Sequence, residues 1–171
     1  MVIWITGLSG SGKTTIAKEV YQHIKKQYIN TIFLDGDILR GALNHSYGYT
    51  FKQRLIGARQ VHGLCHMLEN EDMIVICATM SLFHTIQALN KNTFKNYIEV
   101  FLDVTIDELC KRDKNRLYSR ALSGLEKNVV GIDLKAENPL TPTLHLDNNQ
   151  PTDKDINIKK IINSFELEYC L

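Results

Sequence analysis

Residues 7 to 14 read Gly7-Leu8-Ser9-Gly10-Ser11-Gly12-Lys13-Thr14 and directly follow the apolar run Val2-Ile3-Trp4-Ile5. A G-x-x-x-x-G-K-[ST] segment between a buried strand and a helix is a phosphate-binding loop, and it commits the chain to a strand–loop–helix beginning. Gly7, Gly10 and Gly12 let the backbone curl so that successive N–H groups, from Ser9 and Ser11 through Thr15, converge on one anion. Lys13 reaches the terminal phosphates, and the Thr14 hydroxyl can ligate Mg²⁺. The helix starting near Lys13 adds its positive N-terminal end. Nucleoside triphosphate binding follows; the group that receives the phosphate has to be found elsewhere in the chain.

Apolar runs of strand length recur at 2–5, 32–34, 73–78, 97–102 and 143–146, separated by segments long enough for helices. This alternation predicts an α/β chain of the P-loop NTPase type, a parallel five-stranded sheet flanked by helices. Helices are expected at 13–28, 37–45, 51–70, 82–90, 105–112 and 154–168, the last capped by Asp153. Between about 113 and 140 the pattern dissolves into charged residues, glycines and Pro139, and this stretch reads as a lid over the triphosphate. With 171 residues, 44% of them hydrophobic and 23% charged, one good core and a single domain over 1–171 are expected.

A formal net charge of +1 and the lack of a basic run or aromatic-basic stripe argue against a nucleic-acid partner. No stretch approaches the length of a membrane span, and the first strand starts at residue 2, which predicts a cytoplasmic protein. Cys65, Cys77, Cys110 and Cys170 lack C-x-x-C spacing and read as reduced thiols.

Asp35-Gly36-Asp37 follows the second strand, so both carboxylates should emerge at the carboxyl edge of the sheet, where ligands of open α/β folds bind. One, Asp35 or Asp37, can hold Mg²⁺ or its water while the other accepts a proton from an attacking hydroxyl. Asp37 could alternatively be only a helix cap. Arg40 lies one turn on, and Arg54 and Arg59 fall on the next helix. Guanidinium forks suit the anionic groups of an acceptor nucleotide, although Arg59 fits a solvated helix face equally well. His62 and His66, four apart, have no third ligand in the pattern. Asn90-Lys91-Asn92-Thr93 lacks the aspartate of a guanine-reading motif and reads as a turn.

Taken together, these residues resemble the adenylylsulfate kinase family, which transfers the γ-phosphate of ATP to the 3′-hydroxyl of adenosine 5′-phosphosulfate. The resemblance covers the loop through Thr15, then Leu34-Asp35-Gly36-Asp37 with Arg40, and Tyr47-Gly48-Tyr49-Thr50 with Arg54 and Arg59. It continues through Ser81, Phe83, Arg112-Asp113, Leu117-Tyr118, Ala121, Gly124, Lys127-Asn128, Gly131-Ile132-Asp133, Glu137, Pro139 and His145-Leu146-Asp147. It implies ATP and Mg²⁺ held by Lys13, Thr14 and Asp35, Arg112 against the ATP base, and Asp37 as the leading base. Arg40, Arg54 and Lys127 would face the acceptor's anionic end. Tyr49, Gly57, Met80, Ser81, Val129 and Ile132 would complete the acceptor pocket. Family members are commonly dimers, which makes a homodimer the expectation.

Departures from the family cluster at the acceptor. Gly57 replaces the asparagine of an R-x-x-N segment, Val129 replaces one of two aromatics that sandwich the acceptor adenine, and Ala136 and Leu82 replace a tyrosine and a proline. Loss of one stacking face weakens adenine binding by about 1–3 kcal/mol. The phosphate-handling residues are kept while the base pocket is rebuilt, which predicts the same reaction on a non-adenine nucleotide with an anionic 5′ extension. A branch of the family in bacterial capsule pathways phosphorylates cytidine diphosphoramidate, and the chain resembles that branch. The alternative is an adenylylsulfate kinase of sulfate assimilation. Intact Lys13, Thr14 and paired aspartates argue against a nucleotide switch.

Overall fold

The computed structural model describes residues 1–43, 48–113 and 116–169. Five parallel strands form one sheet: β1 (Val2–Thr6), β2 (Thr31–Asp35), β3 (Ile74–Ala78), β4 (Tyr97–Asp103) and β5 (Leu144–Asp147), in the order β2-β3-β1-β4-β5. β1 is central, with Val2 in register with Val75 of β3 and Tyr97 of β4. The helices are α1 (Lys13–Lys25), α2 (Gly36–Ala42), α3 (Phe51–Asn70), α4 (His84–Thr93), α5 (Ile106–Arg112), α6 (Leu117–Leu122) and α7 (Asp153–Tyr169).

The strands are apolar on both faces, as a sheet covered on two sides requires. The two-residue side-chain period sends Ile3, Ile5, Ile74, Ile76, Ile98 and Val100 against Ile16, Val20, Ile161 and Phe165 of α1 and α7. It sends Val2, Trp4, Val75 and Cys77 against Ala58, Val61 and Cys65 of α3 and Ile86 of α4. All five strand ends that follow these runs point the same way, so the loops after β1, β2 and β3 meet at one edge.

The strands, α3 and α5 fall within one residue of expectation and α1 stops at Lys25, short of the expected 28, with four further differences. α6 sits inside the expected lid, where six residues give too short an apolar pattern to read. Asp153 is the first residue of α7, and its carboxylate accepts a hydrogen bond from the Gln150 N–H at 2.7 Å. Residues 90–93 are the last turn of α4, not a separate turn. Asn90 is fully buried there: its Oδ1 lies 2.8 Å from His62 Nδ1, and its Nδ2 donates to the Tyr97 hydroxyl at 3.1 Å. The fourth difference is the start of α4 at His84, because Leu82 and Phe83 stay extended and pack into the core. Residues 44 and 45 of the expected second helix, the matched Tyr47, positions 114 and 115 of the lid and Cys170 lie outside the described residues. Cys65 and Cys77 are buried free thiols and Cys110 is half-buried and free. Among the described residues no helix is long and apolar enough to cross a membrane.

Asn90 therefore acts as a polar rivet between α3, α4 and β4. Asn90→Ala leaves His62 Nδ1 and the Tyr97 hydroxyl without this partner, and it should lower unfolding free energy by about 1–3 kcal/mol in urea denaturation.

Candidate active site

The loop after β1 has the geometry its glycines foreshadow. Gly12, the residue before α1, has φ +96°, and a Cβ on it would meet Asn148 Nδ2 at 2.8 Å. A Cβ on Gly7 would stand 2.5 Å from the Leu102 carbonyl oxygen. Neither position admits a side chain. α1 has neither a side-chain cap nor an acidic residue in its first turn, so its N-terminal N–H groups remain available to an anion. Lys13 Nζ donates to the Leu8 carbonyl at 2.7 Å. Removal from water lowers the Lys13 pKa to about 8, against the opposing pull of Asp37 and Asp35.

Asp35 ends β2 and caps α2. Its Oδ1 accepts from the N–H groups of Asp37 (2.9 Å) and Ile38 (3.3 Å), and its Oδ2 accepts from Thr14 Oγ1 at 2.7 Å. The cap of α2 is thus Asp35, and Asp37 stands exposed in the first turn beside the cavity. This settles which carboxylate is structurally committed.

A cavity of about 920 Å³ opens over the carboxyl edge of the sheet. Of the residues singled out in the sequence, it gathers Ser9, Gly10, Gly12, Lys13, Thr14, Thr15, Asp35, Asp37, Arg40, Tyr49, Arg54, Gly57, Met80, Arg112, Lys127 and Val129. Gly7, Ser11, Ser81 and Ile132 do not line it. Ser11 and Ser81 are fully buried behind its wall, and Ile132 packs with Val104, Leu109 and Tyr118. Arg59 is exposed outside it. Six cationic side chains face the cavity against four carboxylates, Arg120, Glu126 and Asp113 joining those already named. That balance suits a ligand carrying several negative charges.

Arg54 joins two segments of the acceptor end. Its Nε donates to the Tyr49 carbonyl at 2.7 Å and its Nη2 to the Asn128 carbonyl at 2.8 Å. Its pKa is lowered by burial and by Arg40 nearby. The guanidinium carbons of Arg40 and Arg54 lie 4.7 and 5.1 Å from the centre of the Tyr49 ring. The ring expected to stack a base is therefore in contact with the two cations expected to hold the anion. Val129 is 3% exposed and packs in the lid core with Leu109, Tyr118 and Ala121.

Several residues brace the site, two of them, Tyr118 and Arg112, in matched segments and two, Asn148 and Asn157, outside any motif. Tyr118 donates its hydroxyl to the Ser9 carbonyl at 2.7 Å, tying α6 to the phosphate loop. Asn148 Nδ2 donates to the Ser11 carbonyl at 2.8 Å, and Asn157 Nδ2 donates to Asn148 Oδ1 at 3.1 Å. Arg112 is held by Glu108 (3.0 Å) and by the carbonyls of Asn148 and Asn149 (2.8 and 2.7 Å), which fixes its planar face beside the loop. Asn148 and Asn157 gave no signal in sequence because isolated asparagines are common in turns and helix starts.

With this geometry established, comparison with known proteins gives a consistent result. A profile of the adenylylsulphate kinase family matches residues 1–147. A cytidine diphosphoramidate kinase of Campylobacter jejuni is 41% identical over 138 residues, 81% of each chain. An adenylyl-sulfate kinase of Pseudomonas aeruginosa is 37% identical over 167 residues, 96% of this chain and 85% of its own. Among solved structures, the Mycobacterium tuberculosis APS kinase in complex with AMPPNP and APS superposes with a TM-score of 0.86 at 28% identity, covering 96% of both chains.

The Lys13 ammonium sets a pH limit on anion binding. A polyphosphate favours the charged form, so binding raises the Lys13 pKa above its free value of about 8. Affinity is then full below that value and falls as pH rises through it, by about tenfold per pH unit where only the bound state is protonated. Titration calorimetry with a nonhydrolysable nucleoside triphosphate should show net proton uptake between pH 8 and 9 and little at pH 6.5.

Proposed function

The chain belongs to the adenylylsulphate kinase family and is a phosphotransferase, and we propose that it moves the γ-phosphate of ATP to the 3′-hydroxyl of cytidine diphosphoramidate. The observation that carries the acceptor is Val129: at the position of the family's second stacking aromatic stands a small side chain that lines the cavity and is already packed into the lid. A pyrimidine needs less stacking surface than adenine. The cytidine diphosphoramidate kinase at 41% identity supports the same acceptor. A second reading, phosphorylation of adenosine 5′-phosphosulfate, is favoured by the Pseudomonas aeruginosa relative, which aligns over more of the chain.

In this reading ATP lies over residues 7–15, its phosphates on the loop N–H groups and Lys13 and its base against Arg112. Arg40, Arg54 and Lys127 hold the acceptor's anionic extension. The Thr14 hydroxyl and the Asp35 carboxylate, 2.7 Å apart, are the hard oxygen donors that Mg²⁺ prefers. They would hold Mg²⁺, which would supply charge neutralisation on the triphosphate. Both oxygens of Asp35 already accept hydrogen bonds, so the proton of the 3′-hydroxyl goes to Asp37. Phosphoryl transfer asks the protein mainly for alignment and charge neutralisation.

ADP release from MgATP, with the two acceptors offered separately at matched concentration, tests the proposal. A preference for cytidine diphosphoramidate is expected, and a preference for adenosine 5′-phosphosulfate would replace it with the second reading. Lys13→Ala should reduce turnover by about 10²–10³-fold or more, the scale of removing a transition-state charge contact. Val129→Phe should shift the preference toward the adenine acceptor, at a cost of about 1–3 kcal/mol in stability for overpacking the lid.

A further inference from the structure

Between Lys127 and Leu134 the lid makes a compact turn that presents Lys127 and Val129 to the cavity. Asn128 lies in the left-handed region at φ +63°, which asparagine enters more readily than other side-chain-bearing residues. One carboxylate holds it there. Asp133 Oδ2 accepts the Asn128 N–H at 2.6 Å, and Asp133 Oδ1 accepts the Val129 N–H at 2.6 Å. These two N–H groups, with the charge of Arg54 as a smaller contribution, keep the Asp133 carboxyl below the usual aspartate range. The far side of the same peptide is also fixed, because the Asn128 carbonyl accepts from Arg54 Nη2 at 2.8 Å. Gly131 at φ +94° closes the turn, its N–H donating to the Leu134 carbonyl at 2.8 Å.

Asp133 is exposed and does not line the cavity, so it touches neither reactant. We propose that Asp133 is a positioning residue for the acceptor: by clamping Asn128 and Val129 it seats the lid turn on the Arg54 guanidinium and so forms the acceptor half of the cavity. This rests on the proposed kinase reading and adds to it that lid and acceptor site are joined through one carboxylate, one peptide and one guanidinium. The donor half has hydrogen bonds of its own that do not pass through Asp133, from Tyr118 to Ser9 and from Arg112 to Asn148 and Asn149. Loss of the clamp should therefore separate the two substrates.

Steady-state ADP release by the wild type, Asp133→Asn and Asp133→Ala provides the test, using whichever of the two acceptors the wild type turns over. Asp133→Ala should raise the acceptor KM by roughly tenfold or more, as loss of two charge-assisted hydrogen bonds would, with the ATP KM changed by less than about twofold. Asp133→Asn, which keeps one acceptor oxygen, should fall between. An unchanged acceptor KM, or donor and acceptor KM rising in parallel, would overturn the proposal. Amide hydrogen exchange of the acceptor-free protein gives a separate readout that stands even if neither acceptor is a substrate. Exchange at Asn128 and Val129 should accelerate in Asp133→Ala while the loop at 7–15 is unaffected, and unaltered exchange at those two amides would refute the clamp.

Discussion

The Asp35 carboxylate connects three parts of the molecule at once. Through Oδ1 it caps α2, through Oδ2 it holds Thr14 at the start of α1, and its charge opposes the desolvation of Lys13. β2 is an edge strand of the sheet, and α1 packs across the face of β1, β3 and β2, with Tyr21 against Phe33. The far end of α1 is tied to the start of β2 by Lys25 Nζ donating to the Thr31 carbonyl at 2.9 Å, and the bond to Thr14 orients the end that carries the phosphate loop. The arrangement places two hard oxygens beside the loop and leaves Asp37, two residues on, free of the capping role.

The remainder of the cavity follows from supplying positive charge where the sheet edge cannot. Arg40 and Arg54 are close enough for each to lie against the same tyrosine ring, and Arg40 depresses the Arg54 pKa. Two like charges held together are costly unless an anion completes the site. The carbonyls of Tyr49 and Asn128 offset part of that cost, and they do so by drawing the start of α3 and the lid onto one guanidinium. Orientation of the acceptor pocket and neutralisation of its charge are therefore properties of the same contacts.

The parts of this structure visible in the sequence are those with a period or a fixed spacing. The five strands, the phosphate loop and α3 are continuous patterns whose physical cause repeats residue after residue. Asp35 and Asp37 could be placed at the sheet edge, but the choice between them depended on which backbone N–H groups lie within reach, a matter of about an ångström. α6 was hidden because six residues carry less than two helical turns of pattern. The bracing groups, Asn148, Asn157, Tyr118 and Asp133, act through one or two hydrogen bonds each, to main-chain atoms or to one another, across spans of up to 137 residues. Tyr118 and Asp133 stand in segments that carry the family resemblance, but no local spacing names the groups they hold. Asn90 was misread for a related reason: as a buried polar residue ending a helix it has the composition of a turn, and only its partners on α3 and β4 distinguish it.

The strand order bears on how the chain acquires its function during synthesis. β1 precedes both its hydrogen-bonded neighbours by a long stretch of chain, with Val2 opposite Val75 and Tyr97. The close approach at Gly7 involves Leu102, and the brace on Ser11 comes from Asn148. Such long-range pairing makes formation slow relative to local structure. A nascent chain thus carries its nucleotide-binding residues well before it can close them into a phosphate cradle, because the brace on that loop waits for Asn148. Up to that point the apolar first strand is a segment in need of shielding, and an early truncation would produce a chain with the motif and without the site.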